Sequence, residues 1–223
     1  MTEAKKQDMK MMGNFTASGG QFRHIRLTGD GMLSGDTSCE RMACTGTLTI
    51  QGDLNGGQLR LTGELSVDGG MRAGSVGGRG EVEVRGSLLA EKLSFTGHLQ
   101  VGGNCESGSF ELAGACSVEG LLSAEQLDIS LYGPCRVKEI GGGRIRVKQS
   151  KAAALKRLAF PLQAMSLSAD YIEGDEIELA YTEAGLVRGN RVVIGPGCQI
   201  GRVEYRDTLT IHRSASAQEQ LRV

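Results

Sequence analysis

Residues 59–75 read LRLTGELSVDGGMRAGS, and the stretch before them, residues 42–58, reads MACTGTLTIQGDLNGGQ. Laid one over the other, they place glycine at slots 5 and 11 and apolar residues at slots 1, 3, 7, 9 and 13. The same frame extends both ways without a gap, giving seven segments that begin at Ile25, Met42, Leu59, Val76, Leu93, Phe110 and Leu127. Slot 5 is glycine in the first six (Gly29, Gly46, Gly63, Gly80, Gly97, Gly114), and slot 11 is glycine in the same six, from Gly35 to Gly120. Slot 9 is apolar in all seven, and slot 15 is mostly small.

Within each segment, odd slots are apolar and even slots carry Thr, Asp, Glu, Arg and Ser. Alternation with period 2 marks half-buried β-strands. Evenly spaced glycines divide each segment into three short strands joined by bends, because glycine tolerates φ > 0 and close backbone approach. A single 17-residue coil cannot bury its own apolar slots, whereas a stack of coils can. The spacing therefore predicts an all-β chain, a β-solenoid of parallel 17-residue rungs, about nine to ten in number with one interruption. An antiparallel sandwich or barrel would require hairpin turns every 8–12 residues or so, which a sustained 17-residue period does not supply.

The repeat accounts for the composition. The chain has 223 residues, 34 of them glycine, no tryptophan and 4% aromatics. Glycine inside a regular element costs about 0.5–1 kcal/mol relative to alanine, so such a load needs a geometric reason. Collagen is excluded by the absence of a three-residue glycine period and by only three prolines. A formal net charge of −1 argues against a dedicated nucleic-acid binder. No apolar run is long enough for a transmembrane helix, and Met1–Gly20 lacks the apolar core of a secretory signal.

Five regions follow. Residues 1–20 read as a mobile polar tail, 21–143 as the solenoid of 17-residue repeats, and 144–166 as a basic interruption in loop or short helix. Residues 167–211 read as further rungs with different spacing, and 212–223 as a second mobile tail. Charge is uneven around the interruption. Arg144, Arg146, Lys148, Lys151, Lys156 and Arg157 form a candidate basic patch, followed by six acidic residues between Asp170 and Glu183. These opposite charges either neutralise each other across neighbouring rungs or serve a contact with a second subunit or an acidic lipid surface.

Catalytic signatures are sparse. Five of the six cysteines (Cys39, Cys44, Cys105, Cys116, Cys135) occupy odd slots, and Cys198 lies in the later β segment. Without a C-x-x-C pair they read as reduced core filler, which fits a reducing, cytoplasmic setting. His24, His98 and His212 are dispersed, and neither metal nor cofactor is expected. The outward slot 4 stacks Thr28, Thr45, Thr62 and Thr96 around Arg79, a column explained by β-propensity and cross-rung contact.

Rungs of the form L-x-L-x-G-x-L-x-V-x-G-x-L, as in residues 59–75, resemble those of bactofilins, the polymer-forming bacterial cytoskeletal proteins. IEGDEIELAYTEAGLVRGN and IGPGCQIGRVEY resemble the extended members found in spore-forming bacteria. The resemblance covers about residues 12–211. It implies a right-handed parallel β-helix, a cytoplasmic location and nucleotide-independent assembly into filaments through the solenoid ends. It also implies a non-catalytic scaffold whose main partner is itself, with a membrane surface or cell-envelope proteins as further partners and no nucleic acid. Independently, a solenoid's open ends are templates for another rung. Phe22, Ile25, Leu27 and Leu33 at one end, and Val203, Tyr205, Leu209 and Ile211 at the other, are the expected interface residues. The alternative is an acyltransferase-like enzyme on a left-handed β-helix. Ile194–Gly201 echoes one of its hexapeptide turns, but the period here is 17 and the segment has no histidine.

Overall fold

The computed structural model describes residues 7–149 and 165–223. It is an all-β solenoid of about 12 turns. Its strands are β1 (Gln7–Met12), β2 (Phe15–Gln51), β3 (Leu54–Val67), β4 (Met71–Val84), β5 (Leu88–Val101), β6 (Cys105–Gln149), β7 (Leu167–Leu179), β8 (Thr182–Ile194), β9 (Gln199–Ile211) and β10 (Ser216–Arg222). They form one sheet in chain order, and each consecutive pair is parallel.

The register bears out the frame read from the sequence. Thr45, Thr62, Arg79 and Thr96 stand in one column, and Leu48, Leu65, Val82, Leu99 and Cys116 in another. The second column is buried and forms part of a continuous apolar core along the axis. All six cysteines are free and buried in it.

Slot 5 shows why glycine is required there. Gly46, Gly63, Gly80 and Gly97 have φ between +120° and +136°. At each, the carbonyl oxygen of the glycine one turn before occupies the place a Cβ would take. Two constraints coincide, a left-handed backbone and a backbone-to-backbone approach.

Slot 12 carries a device the alternation does not reveal. The Asp36 carboxylate accepts from the Asp53 N–H (2.9 Å), and the Asp53 carboxylate from the Gly70 N–H (2.8 Å). Further along the same column, Ser87 Oγ accepts from the Asn104 N–H (3.2 Å), and Asn104 Oδ1 from the Leu121 N–H (3.0 Å). Each side chain satisfies a backbone donor of the next turn at the bend where the strand ladder lapses.

Four expectations are corrected. Residues 7–20 are not a tail: Met9 pairs with Ile25 and Met11 with Leu27, so they add a turn. Residues 216–222 likewise form β10 on β9. These additions raise the count from nine or ten turns to about 12. Residues 144–149 continue β6, with Ile145 pairing Ile177, so the interruption is shorter than 144–166. The remainder of that interruption, with Lys151, Lys156 and Arg157, lies outside the described residues.

Beyond the interruption the turn contracts. Ala169 pairs with Ala184, an offset of 15, and Val187 with Val203, an offset of 16. Pairs on the last side of the turn, such as Val192 with Leu209, return to 17. Shortened bends change the spacing while the inward apolar columns stay aligned, as period-2 pleating demands.

The glycine geometry makes a prediction. Gly63→Ala, which meets both constraints, lowers stability by about 3 kcal/mol or more. Gly35→Ala has φ +91° but open space around the added carbon, and costs about 1–2 kcal/mol. Paired urea titrations of the two variants check the difference.

Candidate assembly site

The two ends of the stack have different chemistry. At the amino-terminal end, β1 and the start of β2 lie over the first 17-residue repeat. Ile25, Leu27 and Leu33 are consequently buried at 2%, 1% and 0% exposure, and only Phe22 of the four expected interface residues remains partly exposed. They belong to the core, which corrects their assignment to an open end. The exposed end instead presents Met9, Phe15 and Ala17, all partly buried against the core, with Met11 beside them. The Phe15 ring fills the space where Gly31 lacks a side chain. Among the described residues nothing pairs with the outer edge of β1.

The carboxy-terminal end is partly closed. β10 lies over Gln199–Tyr205, so Val203 is fully buried and Tyr205 pairs with Arg222. Gln220 stands at the Val203 position, and Ser216 and Glu219 are also exposed on this last turn. A polar terminal turn behaves as a cap. The cap leaves Leu209 and Ile211 partly exposed, because β10 pairs only as far as Tyr205. Of the expected residues at this end, Tyr205, Leu209 and Ile211 are partly exposed and Val203 is buried in the core.

Sequence reasoning missed the amino-terminal end because Met9, Met11 and Phe15 precede the regular repeat. The available signal was the alternation of Met9 and Met11 with Asp8 and Lys10.

The charged flank of the later turns resolves into a ladder. Arg144 reaches Glu176 (2.8 Å), and Arg191 reaches Glu176 from the following turn. Arg146 lies 3.1 Å from Glu178 and 3.9 Å from Asp128, and Lys148 lies 3.7 Å from Asp128. Arg144, Arg146 and Lys148 are therefore neutralised by neighbouring turns and are not a free basic patch. Nearby, Glu204 is 5% exposed yet satisfied by Arg188 and Arg202, at 2.7 and 2.8 Å. Arg188 in turn stands 6.0 Å from the Tyr171 ring, whose hydroxyl donates to Glu173.

A shallow groove of about 1070 Å³ runs along the slot-15 column, where Cys39, Gly56, Ala73, Ala90, Ser107 and Ala124 leave the flank low. Burial pushes the Cys39 thiol in its floor up to about 11, as it does Cys44 elsewhere in the core, and Cys105 up to about 12. Cys116 is held well above the ordinary thiol value by a hydrogen bond shared with Cys135 and by burial. At the hexapeptide-like turn, Cys198 is 1% exposed and raised by burial. Folding brings the His212 N–H to the Ile194 carbonyl at 2.7 Å, although the two are distant in sequence. The His212 ring is engaged with Ser214 at 2.8 Å. No group of three metal-ligating side chains occurs among the described residues. No helix among them is long and apolar enough to cross a membrane.

The chain is 42% identical over 101 residues to YhbE of Bacillus subtilis (strain 168), described as uncharacterized, covering 44% of this chain and 41% of that protein. It is 42% identical over 86 residues to YhbF of the same organism, also described as uncharacterized, covering 38% of this chain and 34% of that protein. The chain thus spans about two-fifths or less of the curated relatives it matches. No family model matches the chain, and no solved structure matches it significantly.

Two predictions follow from the site. Cys105 ionises near 9.0 when free and near 12 when folded. Its contribution to stability is complete below pH 9 and is lost as pH rises toward 12. Native protein therefore resists thiol labelling at pH 8, and all six cysteines label in urea, as mass spectrometry will record. Glu176→Gln removes the shared partner of Arg144 and Arg191. It lowers stability by about 0.5–1 kcal/mol at low salt and negligibly in concentrated salt, because the pair is exposed and screened. Thermal melts at two salt concentrations measure the difference.

Proposed function

We propose that the protein is a non-catalytic scaffold that assembles end to end without nucleotide, as the resemblance to bactofilins implies. The observation that carries this reading is the amino-terminal edge. There the outer edge of β1, without a strand partner among the described residues, and the side chains of Met9, Met11 and Phe15 terminate a continuous core. An open parallel edge supplies hydrogen-bond groups in register, and the apolar side chains supply the burial that drives association. The partly open carboxy-terminal edge, with Leu209 and Ile211, offers a second and more polar contact. Assembly through like ends gives pairs related by a two-fold axis, and use of both ends gives filaments. This reading assigns the protein to the cytoplasm, with itself as principal partner and cell-envelope proteins as further ones. It needs neither cofactor nor nucleic acid.

The acyltransferase-like alternative rests on residues 194–201 and on the proximity of the His212 backbone. An acetyl-coenzyme A binding assay separates the two readings: the scaffold shows no saturable binding.

Met9→Glu/Met11→Glu places two carboxylates on the amino-terminal edge while leaving the 17-residue repeats intact. Sedimentation velocity and negative-stain electron microscopy should show assemblies for the parent chain and a shift to monomer or a single short species for the variant. A parent chain that is monomeric over a broad range of salt and concentration refutes the proposal.

A further inference from the structure

Cations on the flank are distributed in two opposite ways. In the later turns Arg144, Arg146, Arg188, Arg191 and Arg202 each meet a carboxylate, as in Arg144–Glu176–Arg191. In the first turns, cation stacks on cation. Lys10 pairs directly with Arg26, and Arg60 follows on the same face beside Ala43, with Arg41 at the adjoining bend. These four side chains are exposed and line one concave surface of about 620 Å³. Asp8 is the carboxylate lining it. It is committed to Arg23 (2.8 Å) and His24 (3.1 Å), and the Arg23 hydrogen bond holds it down to about 2. Among the described residues Lys10, Arg26, Arg41 and Arg60 form no ion pair.

Like charges directly opposite on neighbouring strands destabilise a sheet. Like charges also oppose each other elsewhere, as in Glu64 beside Glu81, but here four cations gather around one hollow without an ion pair among the described residues, which calls for a counter-charge from outside the chain. We propose that Lys10, Arg26, Arg41 and Arg60 form a binding site for a multivalent phosphate-bearing anion. Three guanidinium groups converging on one hollow suit the oxygens of a phosphate ester, to which each can donate two parallel hydrogen bonds. Lys10 adds a point charge at the rim. The same chemistry is offered by a free polyphosphate and by the headgroups of an anionic bilayer. Met12 bears on the second source. It lies two residues from Lys10 on the same face of β1 and is 75% exposed, an apolar side chain beside cations as at a membrane interface.

The test uses the full chain at low ionic strength. Isothermal titration with sodium tripolyphosphate compares the parent with Arg26→Gln/Arg41→Gln/Arg60→Gln and with a charge-matched control, Lys92→Gln/Arg136→Gln/Lys138→Gln. Thermal melts confirm that all three fold. The site predicts a loss of roughly tenfold or more in the first triple variant. The control should stay within about twofold, the change in net charge being the same. Co-sedimentation with phosphatidylglycerol-containing vesicles, against pure phosphatidylcholine, identifies the source. Recovery that needs the three arginines and falls in Met12→Ser assigns a bilayer headgroup, whereas tripolyphosphate binding without vesicle recovery assigns a free anion. Equal losses in the two triple variants, or no binding of either probe by the parent, overturn the proposal. Assembly measured in the same samples is a separate readout, so failure of the anion site leaves the end-to-end reading standing.

Discussion

The backbone-to-backbone contact at the slot-5 bend is the constraint on which the solenoid rests. Each glycine there turns the chain through a left-handed conformation while its neighbour one turn before presses a carbonyl oxygen into the space a side chain would fill. The contact holds successive turns at one strand spacing and sets the direction in which each turn resumes. The inward columns of Leu, Val, Ile and Cys can align only because this bend recurs at the same place. The 17-residue period is therefore a consequence of the bend as much as of the hydrophobic pattern.

From that regularity follows the division of labour over the surface. The flanks are polar and locally satisfied. Carboxylates answer arginines from one turn to the next, and Asp and Asn side chains cap the donors that the bends expose. The thiols lie inside, and burial raises those of Cys39, Cys44, Cys105 and Cys198 above the ordinary value. Among the described residues, the edge of β1 lacks a strand partner and the cation hollow beside it holds four cations without ion pairs. Both belong to the first turns, so the end-to-end contact and the anion site would be neighbours on one rod.

The change of turn length after the interruption shows how far the architecture tolerates variation. The offset falls from 17 to 15 while the apolar partners continue in line, Val187 over Ile172 and Val192 over Ile177. Residues are removed at bends, where no inward side chain is lost. The strands keep their parity because a one-residue slip would turn every apolar side chain outward.

Much of this was legible in the chain itself. The glycine columns, the inward cysteines and the outward threonines are all periodic, and periodicity is a local property that a one-dimensional reading detects. The solenoid and its 17-residue turn were accordingly settled by the sequence. Tertiary structure alone decided where the stack begins and ends. Gln7–Met12 and Ser216–Arg222 depart from the repeat, yet each lies on an existing strand edge that supplies the hydrogen bonds its own sequence does not advertise. The amino-terminal addition covers Ile25, Leu27 and Leu33 and moves that edge to Met9, Met11 and Phe15. The pairing of Arg144 and Arg146 with acids 32 residues later, and the convergence of Lys10, Arg26, Arg41 and Arg60, likewise depend on stacking distance rather than on position along the chain. Charge balance is decided between turns, and only the folded rod determines which turns are neighbours.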